Sequence, residues 1–301
     1  MSSITEDTTT RWQRHRRRRR SAIAFACVFG WMTSACDRPA SDPTSSILLA
    51  TTTSVRDSGL LDALLPDFTE RTGIDVRVIA VGTGAALRMG REGNADVLLT
   101  HAPSAEQALI DDGVVRRRTP FMENHFVIAG PEQDPAGIAS AVSPAEAIQR
   151  IAEANAAWVS RADDSGTHKR EKTLMREAGL DLDQPWPSVA QTGSGMGGSL
   201  QVAGERRAYI LSDIGTFLAF EPRIDLIVLS KPAPSLRNVY AILQLDGERL
   251  NRPIDIDAVD AFEQYLVEPG TQKRIGAFGR ERFGRALFTP MLGNVGEGGD
   301  S

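Results

Sequence analysis

The sequence predicts an α/β fold of two lobes joined by two crossovers. Short apolar runs alternate with helically spaced leucines, proline-rich breaks interrupt that alternation twice, and loops rich in hydroxyls and glycines follow several of the runs.

Ile47-Leu48-Leu49-Ala50 reads as a strand entering the polar loop Thr51-Thr52-Thr53-Ser54, after which Leu60, Leu61, Leu64, Leu65 and Phe68 fall at helical spacing. The unit repeats. Val76-Arg77-Val78-Ile79-Ala80-Val81 leads into Gly82-Thr83-Gly84 and a short helix, and Val97-Leu98-Leu99-Thr100 leads into a helix from about residue 104. Such alternation predicts a parallel sheet with ligands at the carboxyl ends of its strands. Phe126-Val127-Ile128-Ala129 is a further strand, and Gly130-Pro131 with Asp134-Pro135 breaks the pattern at a first crossover. A second series runs through the strand Trp158-Val159-Ser160, a helix over 167–178, a loop over 193–198, and strands at Tyr209-Ile210-Leu211 and Ile227-Val228-Leu229. Lys231-Pro232-Ala233-Pro234 is the second break, and the strand Val239-Tyr240-Ala241-Ile242-Leu243 and helices over 256–267 and 271–277 return to the first lobe. The predicted organisation is lobe I from 46–130 and 237–290, lobe II from 131–236 and a disordered Gly-rich tail over 291–301, with a cleft between lobes of the kind that binds small ligands.

Ahead of this body lies a basic leader. The chain has 301 residues and a formal net charge of -5, with 34 Lys+Arg against 39 Asp+Glu. Seven arginines in residues 1–35 face only Glu6 and Asp7, so the remainder carries 27 Lys+Arg against 37 Asp+Glu, near -10. A body this acidic lacks the basic footprint of a protein that grips nucleic acid through phosphates, or of one held electrostatically on a membrane surface. The apolar stretch from Ala22 to Met32 is about half the ~20 residues a spanning helix needs, so the leader reads as an export signal over 1–35. Thr33-Ser34-Ala35-Cys36 is similar to a bacterial lipobox, which would acylate Cys36 and anchor the protein; Arg19-Arg20-Ser21-Ala22-Ile23 is a looser match to a twin-arginine leader. Residues 36–45, with Pro39 and Pro43, form a tether. Cys27 and Cys36 are the only cysteines, which leaves the folded body no thiol for a disulfide, a zinc site or a nucleophile.

Four polar loops follow predicted strands: 51–54, 82–84, 160–168 and 192–199. Glycines let the backbone approach a ligand, hydroxyls donate, and helix starts present unpaired N–H groups. Singly, each loop is explained by ordinary helix capping. Together they describe an anion site. Gly82-Thr83-Gly84-Ala85-Ala86-Leu87 lacks the last glycine of a dinucleotide fingerprint, and no P-loop is present, which sets nucleotides aside. Arg161 is the fixed cation within these loops, its planar fork suited to an oxyanion, with a salt bridge to Asp163 or Asp164 as the structural alternative. An enzyme reading would join Ser165 or Thr167 to His168 and Asp164 as a phosphoester hydrolase. Residues so close in sequence seldom align as nucleophile, base and orienter, and His101 and His125 are isolated with no metal-ligand spacing.

These motifs, Thr51-Thr52-Thr53-Ser54 with Asp57-Ser58-Gly59-Leu60-Leu61, Val81-Gly82-Thr83-Gly84, Ala95-Asp96-Val97-Leu98-Leu99 and the run from Ser160 to Lys169, resemble the tungstate-binding proteins of bacterial ABC importers. The resemblance extends over about residues 47–290, through 193–197, Ser212-Asp213-Ile214-Gly215-Thr216-Phe217 and Ala277-Phe278-Gly279. It implies a two-lobe, class II periplasmic-binding-protein-like α/β fold with a mixed sheet in each lobe, closing on an oxyanion. By position it implies ligand contacts from Thr53, Ser54, Thr83, Gly84, Arg161, Ser165, Gly166, Thr167, Ser194, Gly195, Met196 and Gly197. Ser194 and Ile214 depart from the family's usual glutamine and arginine. The implied protein is an extracytoplasmic, monomeric, non-catalytic receptor without cofactor that delivers tungstate or molybdate to a permease and its ATPase. Asp163 and Asp164 beside the donors keep phosphate as the alternative ligand, because hydrogen phosphate needs an acceptor; the expected role of the two carboxylates is instead to brace Arg161 or cap the helix.

Overall fold

The computed structural model describes residues 45–181 and 183–291. The expected signal peptide, the acylation site at Cys36, most of the tether and most of the tail lie outside the described residues.

The chain alternates from its first described residue. β1 (Ser45–Thr52), α1 (Thr53–Ser58), α2 (Leu60–Thr72), β2 (Ile74–Val81), α3 (Thr83–Arg91), β3 (Val97–Thr100) and α4 (Pro103–Asp111) precede the long strand β4 (Val115–Gly130). There follow α5 (Pro144–Glu153), β5 (Trp158–Ser160), α6 (Gly166–Glu177), β6 (Val189–Gln191), α7 (Met196–Arg206), β7 (Tyr209–Asp213), α8 (Ile214–Phe220) and β8 (Ile227–Val228). The chain returns through β9 (Arg237–Leu245), α9 (Ile256–Val267), α10 (Pro269–Ala277), α11 (Arg280–Phe283) and β10 (Thr289–Pro290).

The sheet order is β2-β1-β3-β9-β4-β7-β5-β6, with β8 and β10 pairing to β4. It is mixed, where strand–helix alternation alone predicts a parallel sheet. β1 runs parallel to β2 and β3, and β5 runs parallel to β6 and β7, as right-handed crossovers require. β9 comes back from the second half of the sheet and therefore enters between β3 and β4 antiparallel to both. β4 also lies antiparallel to β7.

β4 is the spine of the molecule. Its first part pairs with β9 as far as His125 opposite Arg237, and from Phe126 opposite Asp213 it pairs with β7. The partner changes between His125 and Phe126, so the crossover sits inside the strand rather than at the Gly130-Pro131 break. Sequence patterning finds only the end of this strand, because its beginning carries Arg116, Arg117 and Arg118 in place of apolar residues. Those cations are tolerated by ion pairing: Arg116 and Arg117 meet Asp260 and Arg117 also meets Glu263 of α9, while Arg118 Nε donates to Glu106 Oε2 at 2.8 Å.

Each half of the sheet is covered on both faces by apolar clusters. Ile47, Leu49, Leu60, Leu64 and Phe68 pack with Phe262 and Leu266 on one face of the first half, and Ala50, Leu98, Leu109 and Leu243 on the other. Trp158, Ile148, Leu174 and Leu211 cover one face of the second half, and Ile210, Leu200 and Phe217 the other. Burying one such large side chain is worth about 1.5–3 kcal/mol. The two lobes thus have separate cores, linked by β4 and by the segment leading into β9.

Candidate functional site

All four polar loops leave carboxyl ends of strands on facing edges of the two lobes. β1 and β2 of the first lobe feed α1 and α3; β5 and β6 of the second feed α6 and α7. The N-caps of α1, α3 and α7 are Thr52, Gly82 and Gly195, and none makes a side-chain cap bond. Their first-turn N–H groups stay available to a ligand, and a helix start carries a partial positive charge that favours an anion. α6 differs: Ser165 caps it, accepting from His168 N at 3.2 Å.

These loops enclose a cavity of about 180 Å³ walled by Thr52, Thr53, Ser54, Thr83, Arg161, Ser165, Gly166, Thr167 and Gly195, with His101, Asp163, Val81 and Gly82 completing it. That volume is below the ~300 Å³ at which pockets for drug-sized ligands begin, and suits a small ion. A neighbouring cavity of about 420 Å³ shares Thr53, Ser54, Arg161 and Gly195 and adds Met196 and Gly197, but Phe220, Phe283 and Leu287 make its far wall apolar. Two expected contacts line neither cavity. Ser194 Oγ is tied back within its loop, 3.3 Å from Ser199 Oγ. A Cβ on Gly84 would come within 3.0 Å of Asp164 Oδ2, which places Gly84 where the lobes meet.

Arg161 is held rather than free. Its NH2 donates to Asp163 Oδ2, and its NH1 donates to Thr167 Oγ1 at 3.3 Å. The second Asp163 oxygen accepts from Ser165 N at 3.2 Å, so this carboxylate braces both the guanidinium and the loop. Asp164 pairs with Lys169 at 3.0 Å instead. The turn needs left-handed backbone at Ala162 (φ 49°) and Asp164 (φ 55°), conformations that non-glycine residues adopt only where surroundings enforce them. Arg161 Nε is buried with no partner among the described residues, a donor whose desolvation an oxyanion would offset. Beneath it Glu171 accepts from Trp158 Nε1 at 2.7 Å, and burial pushes this carboxyl up to about 7.

The hydrolase constellation is not assembled. Ser165 Oγ serves as a helix cap, and His168 Nδ1 accepts from Asp164 N at 3.1 Å, so nucleophile and base are committed elsewhere. No group of three metal-ligating side chains occurs among the described residues.

The structure adds two residues: His101, which the sequence presents as isolated, and Asn238, which no sequence motif singles out. His101, at the carboxyl end of β3, lines the cavity with its ring buried, and Asn238 of β9 bonds to its far side. The signal available was position alone: His101 follows a strand at the same sheet edge as the donor loops.

The PBP superfamily domain matches residues 37–269. A tungstate-binding protein, TupA, of Peptoclostridium acidaminophilum is 40% identical over 247 residues, covering 81% of this chain and 85% of that protein. The solved structure of a tungstate-binding protein, TupA, from Desulfovibrio alaskensis G20 superposes with a TM-score of 0.72 at 41% identity, covering 82% of this chain and 99% of that one. A tungstate ABC transporter structure from Geobacter sulfurreducens gives 0.68 at 40% identity over 76% of this chain and 96% of its own.

Proposed function

The chain belongs to the PBP superfamily and, within it, to the tungstate-binding proteins of ABC transporters, and from that premise we propose how its cleft captures the anion. It is a solute-binding protein, extracytoplasmic and non-catalytic, that binds tungstate and hands it to the transporter's membrane permease and ATPase.

The observation that carries the reading is the donor set. At neutral pH tungstate is a dianion with acceptor oxygens only, so each neighbour must donate. The cavity offers uncapped helix starts from both lobes, the hydroxyls of Thr53, Thr83 and Thr167, and the guanidinium of Arg161. Asp163 is the carboxylate in the wall, and both its oxygens are engaged, which disfavours a protonated oxyanion. Loops from both lobes touch one ligand, so its binding free energy drives closure. Charge and shape alike, tungstate and molybdate both satisfy this donor set. Gly195, Met196 and Gly197 contribute through the start of α7, while Gly84 serves the lobe contact.

Calorimetry of the purified body with tungstate, molybdate, sulfate and phosphate tests this. Tungstate and molybdate should bind far more tightly than the other two; tight phosphate binding with no tungstate response would sink the reading. A lipid anchor at Cys36 completes the proposal, and mass spectrometry of the mature N-terminus should find a diacylglyceryl cysteine there.

A further inference from the structure

His101 stands between two cavities. On one side is the anion cavity; on the other a cleft of about 470 Å³ bounded by Ala102, Pro103, Lys169 and Arg170. The residue is 7% exposed, and its ring lies 4.7 Å from the Tyr240 ring and is bonded at both nitrogens. Nδ1 is 2.8 Å from Asn238 Oδ1, and Asn238 is fixed in that orientation because its Nδ2 donates to Asn124 Oδ1 at 2.8 Å and to Tyr240 Oη at 3.0 Å. An amide oxygen only accepts, so the neutral imidazole carries its hydrogen on Nδ1 and leaves Nε2 bare.

The consequence falls on Ser54. Its Oγ lies 3.2 Å from Nε2 and 3.0 Å from Thr52 Oγ1. With Nε2 bare, Ser54 must donate to His101, and Thr52 donates to Ser54. The Ser54 hydrogen is therefore spent inside the protein, and what it can turn toward the cavity is a lone pair. Against a dianion that polarity is wrong.

Resting on the oxyanion reading above, we propose that His101 is a positioning residue of the site: it takes up one proton as the dianion binds, and Ser54 thereby becomes a donor to the ligand. The proton comes from solvent and only hydrogen bonds rearrange. Nε2–H then donates to Ser54 Oγ, Thr52 continues to donate to it, both lone pairs are used, and the Ser54 hydrogen is free to meet the anion. Every member of the chain from Asn124 to the ligand is then satisfied.

The surroundings keep His101 neutral until the anion arrives: burial above all lowers its pKa from the ordinary imidazole value, and the charge of Arg161 beside it acts the same way, while the bond to Asn238, Asp213 at the end of β7 and Glu106 of α4 oppose them without reversing the direction. Lys169 and Arg170 of α6, across the second cleft, add positive charge, and Tyr240 of β9 stays neutral. Two negative charges arriving in the cavity tip the sum toward protonation. The coupling also selects: the state in which loop one donates exists only with an anion that supplies that charge, so a neutral or hydroxyl-bearing solute meets an acceptor instead.

The test is calorimetry of tungstate binding at pH 7.5 in buffers of different ionisation enthalpy, with wild-type protein, H101Q and H168Q. Wild type should show a heat that varies with the buffer, with a slope approaching one proton taken up per tungstate, and an affinity that falls by up to tenfold per pH unit above neutrality. H101Q should lose both dependences, because its amide donates at every pH, and H168Q should retain them. Should H101Q fail to fold, the ring nitrogen resonances of wild-type His101 decide: they must move from neutral to protonated values on adding tungstate. Heat without buffer dependence in wild type, buffer dependence surviving in H101Q, or ring resonances that stay neutral overturns the proposal alone. Absence of any tungstate heat overturns the oxyanion reading beneath it.

Discussion

Gly166 N donates to Thr83 Oγ1 at 3.0 Å, and these residues belong to opposite lobes. The bond joins the start of α6 to the start of α3, the two helices whose first turns wall the anion cavity. It brings the two lobes into contact at the wall of that cavity, through a backbone donor and a threonine hydroxyl that occupy little space. Position 166 must be glycine for this. A Cβ there would lie 2.9 Å from His101 Cε1 and 3.3 Å from Thr83 Oγ1.

Gly166→Ala should therefore hold the lobes apart while leaving each core intact. Calorimetry should show tungstate affinity lowered by at least tenfold, and thermal unfolding should shift little. A variant that binds normally would show that the lobes close without this contact.

Arg161 should matter to the ligand more than to the fold. Arg161→Ala removes a charged donor set and leaves Asp163 unbraced, so affinity should fall by about 2–3 kcal/mol, roughly a hundredfold. Arg161→Lys should recover only part of this, because an ammonium cannot bond Asp163, Thr167 and an oxyanion from one plane. Equal affinity in all three proteins, by titration, would assign Arg161 to structure.

Glu171 makes stability pH-dependent in a direction opposite to most carboxylates. Burial raises it from 4.5 to about 7, so the folded state favours its protonated form. That contribution is fully present below the unfolded value of about 4.5 and is lost as pH rises through about 7. Glu171→Gln keeps an oxygen for Trp158 Nε1 and cannot ionise. It should be near neutral at pH 4.5 and stabilising at pH 8 by on the order of 2 kcal/mol. Urea unfolding at the two pH values measures the difference, and equal effects would show that Glu171 ionises without penalty.

Gly197 tests the packing that aims α7 at the cavity. A Cβ there would fall 2.4 Å from Cζ of Phe220 on α8. Gly197→Ala should cost about 1–3 kcal/mol by overpacking and weaken anion binding in proportion as α7 tilts. Denaturant unfolding reads the first effect and titration the second.

Much of this protein was legible residue by residue. The apolar runs at 47–50, 76–81 and 97–100 are strands, the leucines from 60 to 68 do bury one helix face, and the four hydroxyl and glycine loops do precede helices. These are short-range properties: side-chain period, capping chemistry and glycine freedom act within a few residues of chain. The start of β4 escaped because its three arginines hide the strand pattern, and their carboxylate partners lie on α4 and α9.

The sequence by itself determined the class of ligand, a small oxyanion, since donor-rich loops around one arginine describe an anion site, while Asp163 and Asp164 among them left phosphate open. Only the tertiary structure decided which of those residues line the cavity. It turned Ser194 back into its own loop, set Gly84 against Asp164, and placed His101 behind Ser54. The reason is distance along the chain. Thr83 and Gly166 are 83 residues apart and His101 and Asn238 are 137 apart, so no local preference specifies either pair; the first pair meets because two separately packed lobes are held in register by β4 and β9, and the second because β9 returns to pair with β3 inside the first lobe.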